Sequence, residues 1–216
     1  MPCITIWRTR AYEELIYDAI EGARLSYGSG GRMDSTLDDQ GRLTIGPEDR
    51  KFCEARLGAG VSGEDKFGRT IHASCFITAP LRWFFDFDTY KVATVKQSSS
   101  LMHYFKSRGE LTAANFTPTT DSRLIDIANE KYRAWIAAGG KTNFTSREWE
   151  EFQDAIGRGY LYTAHWKADY AVLRNIHRQR RYHRQGEWRV FCDWIESLPH
   201  SWLITFEKQK ARAEIA

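Results

Sequence analysis

Residues 71 to 78, IHASCFIT, constrain the fold of this chain most strongly. The run follows a polar loop and is ended by Ala79-Pro80, which predicts a central β-strand and then a helix with the aromatic sequence LRWFFDFDTY. Residues 3 to 8 alternate apolar and polar side chains and predict a first strand. A sheet with these two strands needs helices to cover it, so the sequence predicts an α+β fold.

Apolar residues at helical spacing and capping residues predict the helices. The predicted helices run from Tyr12 to before Gly28, from Pro47 to Gly58, from Asp121 or Ser122 to Gly139, from a Thr145–Glu148 capping box to Gly157, from about Lys167 to Arg184, and from Trp188 to Ile195. The stretch from Gly28 to Gly46 is rich in Gly, Asp and Ser and has no periodicity, which predicts a mobile or ligand-covering loop.

The chain has 216 residues, 42% of them hydrophobic, and contains neither an internal repeat nor a Pro-rich linker. We therefore expect one domain over residues 1–216. No apolar run approaches the roughly 18 residues that cross a bilayer, and the N-terminal MPCITIWRTR does not resemble a signal peptide. We expect a cytoplasmic protein without a membrane span. The four cysteines lie far apart, which predicts buried free thiols and no metal site.

The helix predicted around residues 167 to 184 is the first candidate for chemistry. Arg174, Arg178 and Arg181 follow an i, i+4, i+7 spacing, so their guanidinium groups lie on one face. Like charges at this spacing repel unless anions or carboxylates face them. Phosphate suits the planar fork of donors on arginine, and the alternative is a solvated basic face. Arg180 projects near the apolar side, where it needs a carboxylate or carbonyl partner.

The second candidate is the segment from Thr89 to Ser100, TYKVATVKQSSS. Three consecutive serines provide hydroxyl and backbone N–H groups, and Lys91 and Lys96 add positive charge. This combination suits a phosphate or a nucleotide. The alternative is a serine-rich turn without a ligand.

Together these two segments resemble the flavin-dependent thymidylate synthases, which methylate dUMP with reduced FAD and a methylene-carrying folate. The family signature is Arg-His-Arg-x-x-Ser-x-Asn-x-x-Ser-x-Arg, and the corresponding segment of this chain begins at Thr89. In it, Lys91 replaces the third residue of the signature and Thr94 replaces the first serine. Ser99 matches the second serine. The positions that depart are Thr89, Tyr90, Lys96 and Leu101. The chain is also similar to phage-encoded proteins with DTYKV and EW-x-x-FC-x-WIESLP segments.

The resemblance implies specific roles for residues of both segments. It implies FAD-binding roles for Tyr90, Lys91, Thr94 and Asp169, the last near the position of a flavin-contacting asparagine. It implies that the nucleotide is bound by Ser99, Ser100, Arg174, Arg178 and Arg181. Arg181 lies seven residues before Trp188, as does the nucleotide-contacting arginine of the family before an aromatic residue, and it would polarise the uracil as the catalytic residue.

The implied activity is C5 methylation or hydroxymethylation of a dUMP-like pyrimidine nucleotide, with FAD, a folate one-carbon donor and NADPH, in a homotetramer with shared active sites. The alternative is a nucleotide- or nucleic-acid-binding protein of the same fold without flavin. Its ligand would contact Arg174, Arg178, Arg181 and Arg184, with Tyr182 and Trp188 available for stacking.

Overall fold

The computed structural model describes residues 1–57, 63–140 and 142–207. The strands are β1 (Thr5–Ala11), β2 (Thr36–Leu37), β3 (Leu43–Thr44), β4 (His72–Pro80), β5 (Thr94–Ser98) and β6 (Leu161–Asp169). The helices are α1 (Glu13–Ser26), α2 (Pro47–Leu57), α3 (Leu81–Phe87), α4 (Leu101–Ser107), α5 (Ser122–Ala137), α6 (Arg147–Ala155), α7 (Tyr170–Arg180), α8 (Gly186–Glu196) and α9 (Trp202–Thr205). Short 3₁₀ segments cover Gly30–Arg32, Glu64–Arg69 and Ala113–Asn115.

Strands β1, β4, β6 and β5 form one sheet in that order, and β2 pairs with β3 in a separate antiparallel hairpin. The α+β prediction is confirmed. Side chains of β4 alternate between buried and half-buried, with Ala73, Cys75 and Ile77 buried, as expected for a strand with one covered face.

For the helix predicted from about Lys167 to Arg184, both predicted ends are wrong. Residues 161–169 form β6, and α7 begins at Tyr170 and ends at Arg180. Asp169 is the reason for the later start, because its carboxylate accepts a hydrogen bond from the Val172 backbone N–H and caps the helix there.

One more helix boundary and one loop differ from the sequence predictions. The N-cap of α6 is Ser146, whose hydroxyl accepts a hydrogen bond from the Trp149 N–H, whereas the Thr145 hydroxyl is bonded to Asn143. The loop from Gly28 to Gly46 contains the β2–β3 hairpin, which its composition did not indicate. Gly58, the predicted end of the second helix, lies outside the described residues.

The chain divides into two compact units, and the expectation of a single domain stays a prediction. Unit 1 comprises Met1–Trp7, Phe76–Thr89 and Lys96–His165. Helices α5 and α6 pack together in it around buried aromatic rings. Those rings include Phe105, Tyr132, Trp135, Trp149 and Phe152. The side chain of Asn129 accepts from the N–H and donates to the C=O of Leu111, so this buried amide has polar partners.

Unit 2 comprises Arg8–Cys75, Tyr90–Val95 and Trp166–Ala216. Its N-terminal half depends on a buried ion pair, with Arg24 Nε 2.6 Å from the Asp49 carboxylate. The second oxygen of Asp49 accepts hydrogen bonds from the backbone N–H and the hydroxyl of Ser35. The carboxylate of Asp34 in turn accepts from the N–H groups of Glu48 and Asp49, so the Gly28–Gly46 stretch is tied to the start of α2.

The four cysteines are free thiols, and Cys53, Cys75 and Cys192 are buried as predicted, whereas Cys3 is only half-buried. Burial raises the pKa of Cys53, Cys75 and Cys192 to about 12, which leaves them protonated and unreactive. Among the described residues, no helix is long and apolar enough to cross a membrane.

Candidate functional site

Tyr90, Gln179, Arg180 and Trp188 form a contiguous group in unit 2, which we call the Arg180 cluster. The Tyr90 hydroxyl donates to Gln179 Oε1 at 2.8 Å and accepts from Arg180 Nε at 2.9 Å. The guanidinium carbon of Arg180 lies 4.8 Å from the ring centroid of the fully buried Trp188. Arg180 is therefore held by a hydrogen bond from its guanidinium to the Tyr90 hydroxyl and by cation–π contacts with the rings of Trp188 and Tyr90, the second at 5.7 Å.

Arg180 keeps its charge available for a ligand. Within the described part of the chain, no carboxylate pairs with Arg180, and only its Nε has a hydrogen-bond partner. A guanidinium whose Nη groups lack a protein partner suits a phosphate or a carbonyl oxygen. Sequence reasoning expected a carboxylate or carbonyl beside Arg180 and did not assign it to a site; its position near the apolar face was the signal that it has a specific role.

The loop that carries Tyr90 is closed on itself. The Thr94 hydroxyl donates to the backbone carbonyl oxygens of Tyr90 and Lys91, at 2.9 and 3.1 Å. Ala93 has a left-handed backbone with φ 57°, an unusual conformation for a residue with a side chain. Lys91 is exposed, so this loop offers one solvated cation beside the anchored Tyr90.

Asp169, the fourth predicted cofactor residue, is the N-cap of α7 and is only 4% exposed. Burial raises the pKa of its carboxyl group, partly offset by the hydrogen bond from Val172. One carboxylate oxygen of Asp169 is thus already used in a hydrogen bond to the first turn of α7.

Arg181 faces the carboxylates of α8. Its Nη1 lies 2.7 Å from Asp193 and its Nε lies 2.9 Å from Glu196, and the bond to Asp193 raises the pKa of Arg181. Glu196 also contacts His177 Nε2 at 2.8 Å. The sequence argument required anions or carboxylates to face this stripe, and at Arg181 carboxylates do so.

The other two arginines of the stripe have different surroundings. Arg174 donates from Nη2 to the carbonyl oxygens of Leu57 and Phe206, at 2.7 and 3.2 Å, and burial lowers its pKa. Arg178 is exposed, and no carboxylate of the described residues pairs with it. The three guanidinium groups share a helix face, but their protein contacts differ.

The serines lie in unit 1, whereas the other predicted site residues lie in unit 2. The N–H and hydroxyl of Ser99 donate to the Thr163 carbonyl oxygen at 3.1 and 3.3 Å, and Ser100 is the N-cap of α4. A phosphate oxygen accepts hydrogen bonds, so binding one at Ser99 requires its hydroxyl to turn away from Thr163. Lys96 is occupied by Asp88, with Nζ 2.6 Å from Oδ2.

A cavity of about 900 Å³ lies in unit 2 between α1 and the 3₁₀ segment Glu64–Arg69. Its wall includes Leu15, Ala19 and Phe67, and Lys66 and Arg69 add positive charge. This volume is typical of small-molecule sites. None of its lining residues was predicted from the sequence to belong to a functional site.

No family model matches this sequence, and no curated protein matches it. Solved structures do match, and they define a class: the fold is that of the flavin-dependent thymidylate synthases. The resemblance inferred from the two sequence segments is confirmed at this level.

Two crystal structures of thymidylate synthase X from Helicobacter pylori, each with FAD and dUMP, match with a TM-score of 0.61. At 9% and 10% identity, they cover 96% and 94% of this chain, and 98% and 97% of their own. PolB from Streptomyces cacaoi, a UMP/dUMP methylase bound with 5-Br dUMP, also has a TM-score of 0.61, at 13% identity over 94% of this chain and 95% of its own. Such low identities show the fold, and residue roles must be argued from this chain.

Proposed function

We propose that this protein binds a pyrimidine nucleotide of the dUMP type and methylates or hydroxymethylates its C5 position with a flavin. The observation that carries the proposal is the fold, which matches FAD- and dUMP-bound enzymes over nearly the whole of both chains. When bound, FAD supplies hydride transfer, a folate supplies the one-carbon unit, and NADPH reduces the flavin. The protein contributes placement and electrostatic activation of the pyrimidine.

The residues of unit 2 fit an anionic cofactor. Lys91 is exposed at the tip of the Tyr90 loop, and Arg180 has unoccupied Nη donors beside it in the Arg180 cluster. We assign FAD contacts to Tyr90, Lys91 and Thr94, with Asp169 contributing its second carboxylate oxygen. Cationic donors of this kind suit the pyrophosphate of a dinucleotide.

The nucleotide is assigned to the basic helix. Arg178, which is exposed, binds its phosphate, and Arg174 adds to the positive potential. For Ser99 and Ser100, the nucleotide-binding role that the resemblance implies stays a prediction. Arg181 polarises the pyrimidine carbonyl, for which it must exchange at least one of its contacts with Asp193 and Glu196. We propose a cytoplasmic homotetramer with shared sites, of the phage-encoded type.

One observation favours a second candidate, a nucleotide-binding protein without flavin. The Tyr90 and Thr94 hydroxyls, at signature positions, are both used in hydrogen bonds within the protein. Under this alternative, nucleotide binding persists and no flavin is taken up.

Calorimetric titration with dUMP, UMP and dCMP at two salt concentrations tests the nucleotide site. Arg181→Lys keeps the charge but loses the planar fork, so we expect dUMP affinity to fall about tenfold or more. Arg184→Lys, the same exchange at an exposed arginine, is the control and should bind dUMP like the wild type. Equal dUMP affinity in wild type and Arg181→Lys would remove Arg181 from the site.

A further inference from the structure

The end of α7, the turn after it and the start of α8 carry a cationic surface with one aromatic ring. We call it the Tyr182 surface, made of Arg178, Tyr182, Arg184 and Arg189. All four residues are exposed, and Tyr182 is 94% exposed, so both faces of its ring are open to solvent. The whole surface lies in unit 2.

The three arginines of this surface lie close together in the sequence and lack acidic partners among the described residues. Elsewhere, the structure pairs arginines with carboxylates at Arg24–Asp49, Arg42–Asp38, Arg50–Glu54, Arg123–Asp121, Arg133–Glu110 and Arg147–Glu151. Over residues 1–57, 63–140 and 142–207, no carboxylate pairs with Arg178, Arg184 or Arg189. Neighbouring like charges without counter-charges repel, and an anion relieves that repulsion.

Internal hydrogen bonds hold this surface in shape. Arg189 Nη1 donates to the backbone carbonyl oxygens of His183 and Arg184, at 2.9 and 3.3 Å. Arg181, at the last position before Tyr182, is fixed to α8 by its two carboxylate contacts. The turn that carries Tyr182 is therefore tied at both sides, which lowers the ordering cost of binding.

We propose that the Tyr182 surface binds single-stranded nucleic acid. Arginine side chains contact successive phosphates, and one unpaired base stacks on the Tyr182 ring. The open ring favours a single strand over a duplex, because bases in a duplex already stack on each other. This goes beyond the proposed methylation, since the ligand is a polymer and Tyr182, Arg184 and Arg189 have no role in the proposed nucleotide site, which shares only Arg178 with this surface.

Fluorescence anisotropy with a labelled oligothymidylate, measured over a series of salt concentrations, tests this binding. Tyr182→Ala should weaken binding about tenfold, and Tyr182→Phe, which keeps the ring, should bind like the wild type. Arg184→Ala should lower the slope of log affinity against log salt by about 0.7. The charge-matched control is Arg32→Ala, which removes an exposed arginine from the 3₁₀ segment Gly30–Arg32 and should leave affinity unchanged.

Three results would overturn the proposal. The first is an equal loss of affinity for oligothymidylate in Arg32→Ala and Arg184→Ala, which would indicate attraction by the overall charge of the protein. The second is equal affinity for a duplex of matched phosphate number or for phosphatidylserine vesicles, which would indicate a general anion surface. The third is absence of oligothymidylate binding by the wild type at low salt. Titration of the same samples with dUMP reports separately on the proposed nucleotide site.

Discussion

Asp49 shows how one buried carboxylate can organise a long stretch of chain. It is fully buried, pairs with Arg24, and accepts two hydrogen bonds from Ser35. The residues from Gly28 to Gly46 have little periodicity of their own, so these contacts are a main source of their order. Removing the carboxylate leaves the guanidinium of Arg24 buried without its counter-charge.

We expect Asp49→Asn to lower the free energy of unfolding by about 3 to 5 kcal/mol, measured by urea denaturation at neutral pH. The control is Asp38→Asn, which breaks an exposed pair with Arg42 and weakens exposed hydrogen bonds from the Gln40 and Arg42 N–H groups, so it should cost much less. Similar losses in the two variants would contradict the organising role of Asp49.

The same carboxylate predicts a pH dependence. Burial alone would raise the pKa of Asp49, but hydrogen bonds from Ser35 and Arg24 outweigh burial and lower it. A lowered pKa in the folded state stabilises the protein above the unfolded value of about 4 and ceases to do so as pH falls through the folded value. Wild type should therefore lose stability on acidification below about pH 4, and Asp49→Asn should lose less over the same range.

At the scale of elements, α7 positions most of the candidate site, and its first residue depends on Asp169. Asparagine is as good an N-cap as aspartate, whereas alanine is a poor one. Burial raises the pKa of Asp169, so its ionised form reduces stability above that pKa. We expect Asp169→Asn to match or exceed the stability of wild type at neutral pH and Asp169→Ala to lose about 1 kcal/mol. Urea unfolding of both variants measures this, and equal losses would exclude the capping role.

Long helices with clear caps were predictable from the sequence. Residues Asp121 to Gly139 combine an N-cap, an apolar face and a terminal glycine, and α5 follows them closely. Strand β6 was not predicted, because its buried alanines, Ala164 and Ala168, are equally suited to helices. Recognising Asp169 as an N-cap would have separated this strand from α7.

At the scale of the whole molecule, the candidate site was only partly predictable. Helical periodicity identified the stripe of Arg174, Arg178 and Arg181, because residues on one face are fixed by local geometry. It could not show that Arg180 contacts Tyr90, since these residues are 90 positions apart and only the tertiary fold brings them together. Nor could it show that Arg174 would be occupied by backbone carbonyls.

The homotetramer expected from the resemblance is a property of the whole molecule. If active sites are shared between subunits, an assembly of four 25.1 kDa chains should persist at the concentrations at which the protein binds nucleotide. Sedimentation velocity over a dilution series checks this. A monomer that still binds dUMP and FAD would contradict shared sites.

The absorption spectrum of the purified protein tests the central claim, that this fold retains a flavin and a pyrimidine nucleotide together. We predict that the native protein shows the visible bands of oxidised flavin, either as purified or after it takes up added FAD. Denaturation should release the flavin, and addition of dUMP should shift the bands of the bound flavin. A colourless protein that takes up no FAD, with or without dUMP, would contradict the proposed enzyme.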